Sequence, residues 1–222
     1  MHKSPIIIPG TTRGGTTAVT EALIASGVDM YDWAMPYSED ADVWAMNAIE
    51  AQTNAPKVQQ FPHGFSPTEQ FLSRLRAYKR RRLKAAKASG RPWGFKEPLI
   101  ARMLQPYLEL FPNAKWVFCV RNGLSCVWSQ RKRGHMPWDD FQGLTRHTSY
   151  TFNFLTTLGL AGVVPCLLNY DGDVREEQEA LSEYLELEVD LASTWKWSRQ
   201  SRARVSDSQQ NAALNGNDKG WM

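Results

Sequence analysis

Ile6-Ile7-Ile8 runs straight into Pro9-Gly10-Thr11-Thr12-Arg13-Gly14-Gly15-Thr16-Thr17, and from there into "AVTEALIASG". Few junctions constrain a chain more. Three β-branched apolar residues suit a short buried strand, because branching at Cβ fits the pleated sheet. Beyond the glycine-rich stretch, Ala18, Val19, Ala22, Leu23 and Ala25 recur at helical spacing, and Gly27 ends the run. The order is strand, glycine loop, helix.

The same alternation continues along the chain. "DADVWAMNAIEAQ" reads as a short helix. Ser66-Pro67-Thr68-Glu69 combines a capping box with proline at the first helical position. A helix is therefore expected from there to about Ala88, with Phe71, Leu72, Leu75, Tyr78 and Leu83 on its apolar face. "WGFK" (93–96) reads as a short strand, "LIARMLQPYLELF" as a helix interrupted at Pro106, and "KWVFCV" (115–120) as a buried strand. Helices are expected from Gly123 to Lys132 and over 138–158, then a strand in "VVPCLLNY". "VREEQEALSEYLEL" is amphipathic, with Ala180, Leu181, Tyr184 and Leu185 inward. Strands alternating with helices predict an α/β fold, a three-layer sandwich around a mainly parallel sheet. With 222 residues, 42% of them apolar, the chain suits one core. That domain is expected over 1–197, followed by a polar, loosely ordered tail over 198–222.

Charge separates along the chain. The net charge of +3 is too small to argue for nucleic acid, though it suits an anionic ligand. Between Gly14 and Pro56 there are seven acids (Glu21, Asp29, Asp32, Glu39, Asp40, Asp42 and Glu50) and no Lys or Arg. "YKRRRLKAAK", from Tyr78, is densely basic. It reads either as the wet face of a helix or as a docking surface for an anionic acceptor. Cys119, Cys126 and Cys166 lack CxxC spacing and sit among apolar residues, which points to buried free thiols. "FNFLTTLGLAGVVPCLL" divides into a helix end and a strand rather than one membrane span. A soluble, cytoplasmic protein is the expectation.

Against the phosphate-loop pattern GxxxxGK[ST], Gly10 and Gly15 have the right spacing and Thr17 fills the last position, but Thr16 stands where lysine is required. That lysine reaches the β and γ phosphates of a nucleoside triphosphate, so its loss argues against ATP hydrolysis. What is left is a glycine-rich turn at a helix N-terminus with one cation, Arg13, inside it. Further on, Arg121 follows directly on the "KWVFCV" strand, and Ser129 lies eight residues later. Both then face one crevice.

These stretches resemble sulfotransferases that use 3′-phosphoadenosine 5′-phosphosulfate (PAPS). "RGGTT" is similar to their RSGTT or KSGTT loop, with Gly14 in place of serine. "WGFKEP", "FPNAK" and "NYDGD" resemble further family stretches, and the likeness spans roughly residues 5 to 190. The resemblance implies that Thr12, Arg13, Gly14, Gly15, Thr16 and Thr17 hold the 5′ end of the donor. Arg121 and Ser129 would hold its 3′-phosphate, and Lys96 would touch the phosphosulfate. Arg13 and Lys96 would stabilise charge developing on the leaving oxygen.

The histidine base of cytosolic members is absent, because Glu97 and Pro98 follow Lys96. Other branches use a glutamate after the first helix, which makes Glu39 the leading candidate, with Asp32, Glu97 and His63 behind it. A sulfuryl group carries less charge than a terminal phosphate, so no obligatory metal is expected. The acceptor would be a hydroxyl or amine of a small molecule, glycan or lipid. Trp33, Trp44, Trp93 and Trp138 are available to stack on a sugar or to pack the core. A phosphate-loop kinase or NTPase, and a non-catalytic nucleotide-binding protein of the same fold, remain as alternatives.

Overall fold

The computed structural model describes residues 4–11, 13–30, 40–53, 67–132 and 139–195. Four strands, β1 (Ile6–Ile8), β2 (Gly94–Lys96), β3 (Lys115–Val120) and β4 (Cys166–Asn169), form one sheet in the order β2-β1-β3-β4. Every pairing is parallel. The helices are α1 (Thr16–Ala25), α2 (Ala41–Thr53), α3 (Glu69–Ser89), α4 (Leu104–Leu110), α5 (Gly123–Arg131), α6 (Asp140–Leu160) and α7 (Val174–Leu185). A 3-10 turn, Pro98–Arg102, precedes α4.

Side chains alternate across a strand, and both faces of this sheet are apolar. Ile6, Ile8, Val117, Cys119, Cys166 and Leu168 pack on one side against α1 and α7. Ile7, Phe95, Trp116 and Phe118 pack on the other against α2, α3, α4 and α6. The expected three-layer α/β arrangement is thus present. The connection leaving β1 runs to β2 on one side and that leaving its neighbour β3 runs to β4 on the other, so the two diverge. Such a divergence opens a crevice at the carboxyl ends of the strands.

Several local expectations are corrected. Thr68, not Ser66, caps α3: its hydroxyl accepts from Phe71 N at 3.2 Å, and Pro67 lies before the helix. Glu50 wins this position for Thr68 by accepting from both its N–H (2.7 Å) and its hydroxyl (2.6 Å). The break in the following segment falls at Met103, between the 3-10 turn and α4. Pro106 sits inside the first turn of α4, where a missing N–H costs little. On α7, Leu181 and Leu185 are buried but Ala180 is exposed, and on α1 Ala25 is exposed. Trp93 is fully buried and packs the core, while Trp44 is 41% exposed. Trp33, Trp138 and the expected tail lie outside the described residues. No described helix is long and apolar enough to cross a membrane.

The acidic segment and the basic helix turn out to be partners. Arg82, in the middle of the basic run, has a side chain only 1% exposed. Its guanidinium donates to Asp29 Oδ2 (3.1 Å), Asp29 O (2.8 Å) and Gly94 O (3.2 Å), joining α3 to the edge of β2. Arg81 pairs with Asp42, and Tyr78 donates to Asp40 Oδ2 at 2.6 Å. The stripe Phe71, Leu75, Tyr78, Arg82 and Ala86 is the buried face of α3, with Leu72 and Leu83 at its margins. Arg80, Arg81, Lys84 and Lys87 are exposed. Removing one member of a buried ion pair strands the other. Arg82→Met is therefore expected to cost about 3 kcal/mol in a denaturant titration, and Arg80→Ala less than about 0.5 kcal/mol. Equal effects would show that Arg82 is not a structural residue.

Candidate functional site

The loop after β1 is shaped by its glycines. Gly10 extends the β1–β3 pairing by bridging Cys119, and Gly14 N donates to Thr11 O at 3.0 Å. Arg13 takes a left-handed backbone conformation (φ 70°), and so does Gly15 (φ 102°). A Cβ on Gly15 would also fall 2.2 Å from the ring of Tyr170, so glycine is required here on two counts. Gly15 is the N-cap of α1 and has no side chain with which to cap it. The start of α1 therefore presents backbone N–H groups and the positive end of the helix dipole rather than a side-chain cap, which suits an anion. Thr16 is buried and its methyl lies over Gly10, whereas Thr17 is half-buried at the loop surface. Thr12 lies outside the described residues.

The ammonium that the loop lacks at Thr16 arrives from a neighbouring strand. Lys96, the last residue of β2, places Nζ 3.3 Å from Thr17 Oγ1 with only 2% of the residue exposed. β2 is an edge strand, and its parallel register with β1 pairs Lys96 with Ile8, immediately before the loop.

Arg121 and Ser129 meet the loop from its other side, and they meet at Arg13. Arg13 Nε donates to Ser129 Oγ at 2.9 Å, and Arg121 Nη1 donates to Arg13 O at 3.2 Å. β3 delivers Arg121 and α5 delivers Ser129; Asn122, between them, caps α5 through Ser125 N. Arg121 is oriented by residues about 50 positions away in the chain. Its guanidinium lies 5.2 Å over the Tyr170 ring, and Asp171 Oδ1 is 3.8 Å from its Nε. Asp171 is held in turn by Asn122 N at 2.8 Å. Three cations, Arg13, Lys96 and Arg121, thus surround a helix N-terminus, with Asp171 as a counter-charge at the rim. Such a site attracts an anion bearing more than one phosphate-like group.

Under the loop, His147 of α6 lies 2.9 Å from Thr11 Oγ1 through Nε2, and burial lowers its pKa, favouring the neutral ring. The thiols are buried and free; burial raises that of Cys126, which lies 3.5 Å from Arg13 O, to about 12. Such a thiol is a poor nucleophile.

Among the candidate bases, Glu39, Asp32 and His63 lie outside the described residues. Glu97 is fully buried behind Lys96, its N–H donating to Ile8 O at 3.2 Å. Asp40 is committed to the fold: Oδ1 accepts from Val43 N at 3.1 Å, and burial raises its pKa despite the Tyr78 hydrogen bond. Asp29, Asp42 and Glu50 are engaged with Arg82, Arg81 and Thr68. Among the described residues, no group of three or more His, Cys, Asp or Glu side chains is arranged to hold a metal ion.

The sequence profile described as the sulfotransferase family matches residues 5–155. Among solved structures, the chain is similar to sulfotransferase STF1 from Mycobacterium tuberculosis, at 15% identity and a TM-score of 0.48, covering 87% of this chain and 70% of that one. It is also similar to the sulfotransferase domain from the curacin biosynthetic pathway, at 14% identity and a TM-score of 0.47, covering 82% and 74%. No curated protein matches the chain.

Proposed function

Because this chain belongs to the sulfotransferase family, we propose that it moves a sulfuryl group from PAPS to a hydroxyl or amine of a small-molecule, glycan or lipid acceptor. The observation that carries this reading is the meeting of Arg121, Ser129 and the Arg13 loop, with Ser129 Oγ 2.9 Å from Arg13 Nε. One phosphate-like group would lie on the loop amides at the start of α1. A second, the 3′-phosphate, would lie against Arg121 and Ser129. A nucleoside triphosphate has no group for that second position. The glycines keep the loop tight against its own side chains, since a Cβ at Gly10 would strike Thr16 at 2.6 Å and one at Gly15 would strike Tyr170.

PAPS, when bound, supplies an activated sulfuryl group on the bridging oxygen of its 5′-phosphosulfate. The residues of this chain act around that bond. Lys96, and Arg13 from within the loop, would set fixed positive charge where the leaving oxygen gains negative charge, and the loop amides would add oriented dipoles. Buried and already directed at Thr17, Lys96 needs little reorganisation when the charge develops. Glu39 would accept the acceptor proton. It directly precedes Asp40, whose N–H donates to Lys96 O at 3.1 Å, so its chain neighbour is tied to the end of β2.

Incubation with radiosulfur-labelled PAPS and a panel of hydroxyl and amine acceptors, in excess EDTA, is the test. Label is expected to move to an acceptor at the same rate with and without the chelator, because charge stabilisation comes from side chains. Transfer that stops in EDTA and returns with magnesium would contradict the proposed mechanism, and label reaching no acceptor would favour a non-catalytic nucleotide-binding role.

A further inference from the structure

We propose that His147 is a positioning residue for the phosphate-binding loop, holding the Thr11 hydroxyl so that the turn through Arg13 and Gly14 keeps its shape. The proposal rests on the reading of that loop as the donor site. His147 comes from α6, 136 residues away in the chain, and lies 2.9 Å from Thr11 Oγ1 with both residues buried. The hydroxyl is confined on its other side as well: a Cβ at Gly14 would lie 3.0 Å from Thr11 Oγ1 and 3.0 Å from Thr11 O. Thr11 O is also the acceptor for Gly14 N, the hydrogen bond that closes the turn. The imidazole therefore braces the residue on which the turn hinges, and Arg13, whose carbonyl receives Arg121, lies within that turn.

The reach of His147 depends on close packing of α5 on α6. Gly123, the first residue of α5, has Leu144 Cδ1 at 2.5 Å and His147 Nδ1 at 3.4 Å from where a Cβ would stand. A Cβ there would displace the Leu144 methyl and touch the imidazole, so the glycine suits the close packing of α5 on α6. A Thr–His pair so placed explains why a histidine lies in the core facing a loop rather than at the surface: its Nε2 replaces water as the partner of a buried hydroxyl. The histidine touches no reacting atom, so its effect on the site is through Thr11.

The test uses the full chain carrying His147→Ala, His147→Gln, Thr11→Val or Thr11→Val with His147→Ala. Two readouts are taken well below every variant's melting temperature: amide hydrogen exchange at Gly14 and Thr16–Ala18, and calorimetric affinity for adenosine 3′,5′-bisphosphate. His147→Ala and Thr11→Val are each expected to speed loop exchange about tenfold, leaving β3 and α7 unchanged. The double variant is expected to be no worse than either single one. Glutamine, whose amide reaches the position of Nε2, is expected to restore the wild-type rate. Affinity for the bisphosphate falls in parallel. Unchanged loop exchange in His147→Ala and Thr11→Val overturns the proposal, as do additive effects or a loss spread over the whole molecule. If His147→Ala does not fold, Thr11→Val removes the same hydrogen bond and decides alone. Loop exchange that rises as expected in a protein with no preference for the bisphosphate over 5′-AMP would uphold the role of His147 and refute the donor instead.

Discussion

Lys96→Met is expected to lower sulfuryl-transfer turnover about 10²- to 10³-fold, the scale seen when one preorganised donor to a developing oxyanion is removed. Methionine matches the length and apolar stem of lysine, and it relieves a side chain that is almost wholly buried of its charge. Loss of stability is therefore not the expected outcome, since replacing a buried charge with a well-packed apolar group is often neutral. Affinity for PAPS itself should fall far less than turnover, because the bridging oxygen carries little charge until its bond to sulfur breaks. The check is transfer of radiosulfur from PAPS beside calorimetry on the same preparation. Equal losses in turnover and PAPS affinity would make Lys96 a ground-state binding residue. No loss of either would return it to being the end of an edge strand.

Glu39→Gln is the second large effect. A positioned general base contributes about 10²- to 10⁴-fold, and the amide keeps the size of the side chain while removing its ability to take a proton. Turnover should fall by that factor, with bisphosphate affinity and thermal stability unaltered. The comparison that gives this meaning is Asp40→Asn. Asp40 caps α2 and receives the Tyr78 hydroxyl, so its substitution should act on stability rather than on chemistry. Near-normal turnover in Glu39→Gln would sink the assignment and direct the search to Asp32, Glu97 and His63.

What the sequence disclosed and what it hid follow a physical division. The loop, α1, β3 and α5 were legible because each is specified within a few residues: branched apolar runs for strands, glycines where φ is positive, and fixed spacing between Arg121 and Ser129. Contacts that depend on distant packing were not. Arg82 reads as one more solvated charge in a basic run until Asp29, 53 residues away, is brought against it. His147 has no neighbour in sequence that explains it, and Tyr170 and Asp171 gain their relation to Arg121 only when β4 pairs with β3. The signal that was available for Arg82 is its place on the helical stripe of Leu75, Tyr78 and Ala86. At the start of α3, the Ser66-Pro67 pattern misled because Glu50, from another helix, secures Thr68 as the cap.

Calorimetric titration with adenosine 3′,5′-bisphosphate, without metal and with 5′-AMP as the comparison, tests the central claim most directly. Two charge-assisted hydrogen bonds from Arg121 and Ser129 to a 3′-phosphate predict a preference of about 100-fold for the bisphosphate. Arg121→Ala is predicted to erase most of that preference and to leave the binding of 5′-AMP as it was. Equal affinity for the two nucleotides, or a preference that survives Arg121→Ala, would contradict the assignment of this crevice as a PAPS site.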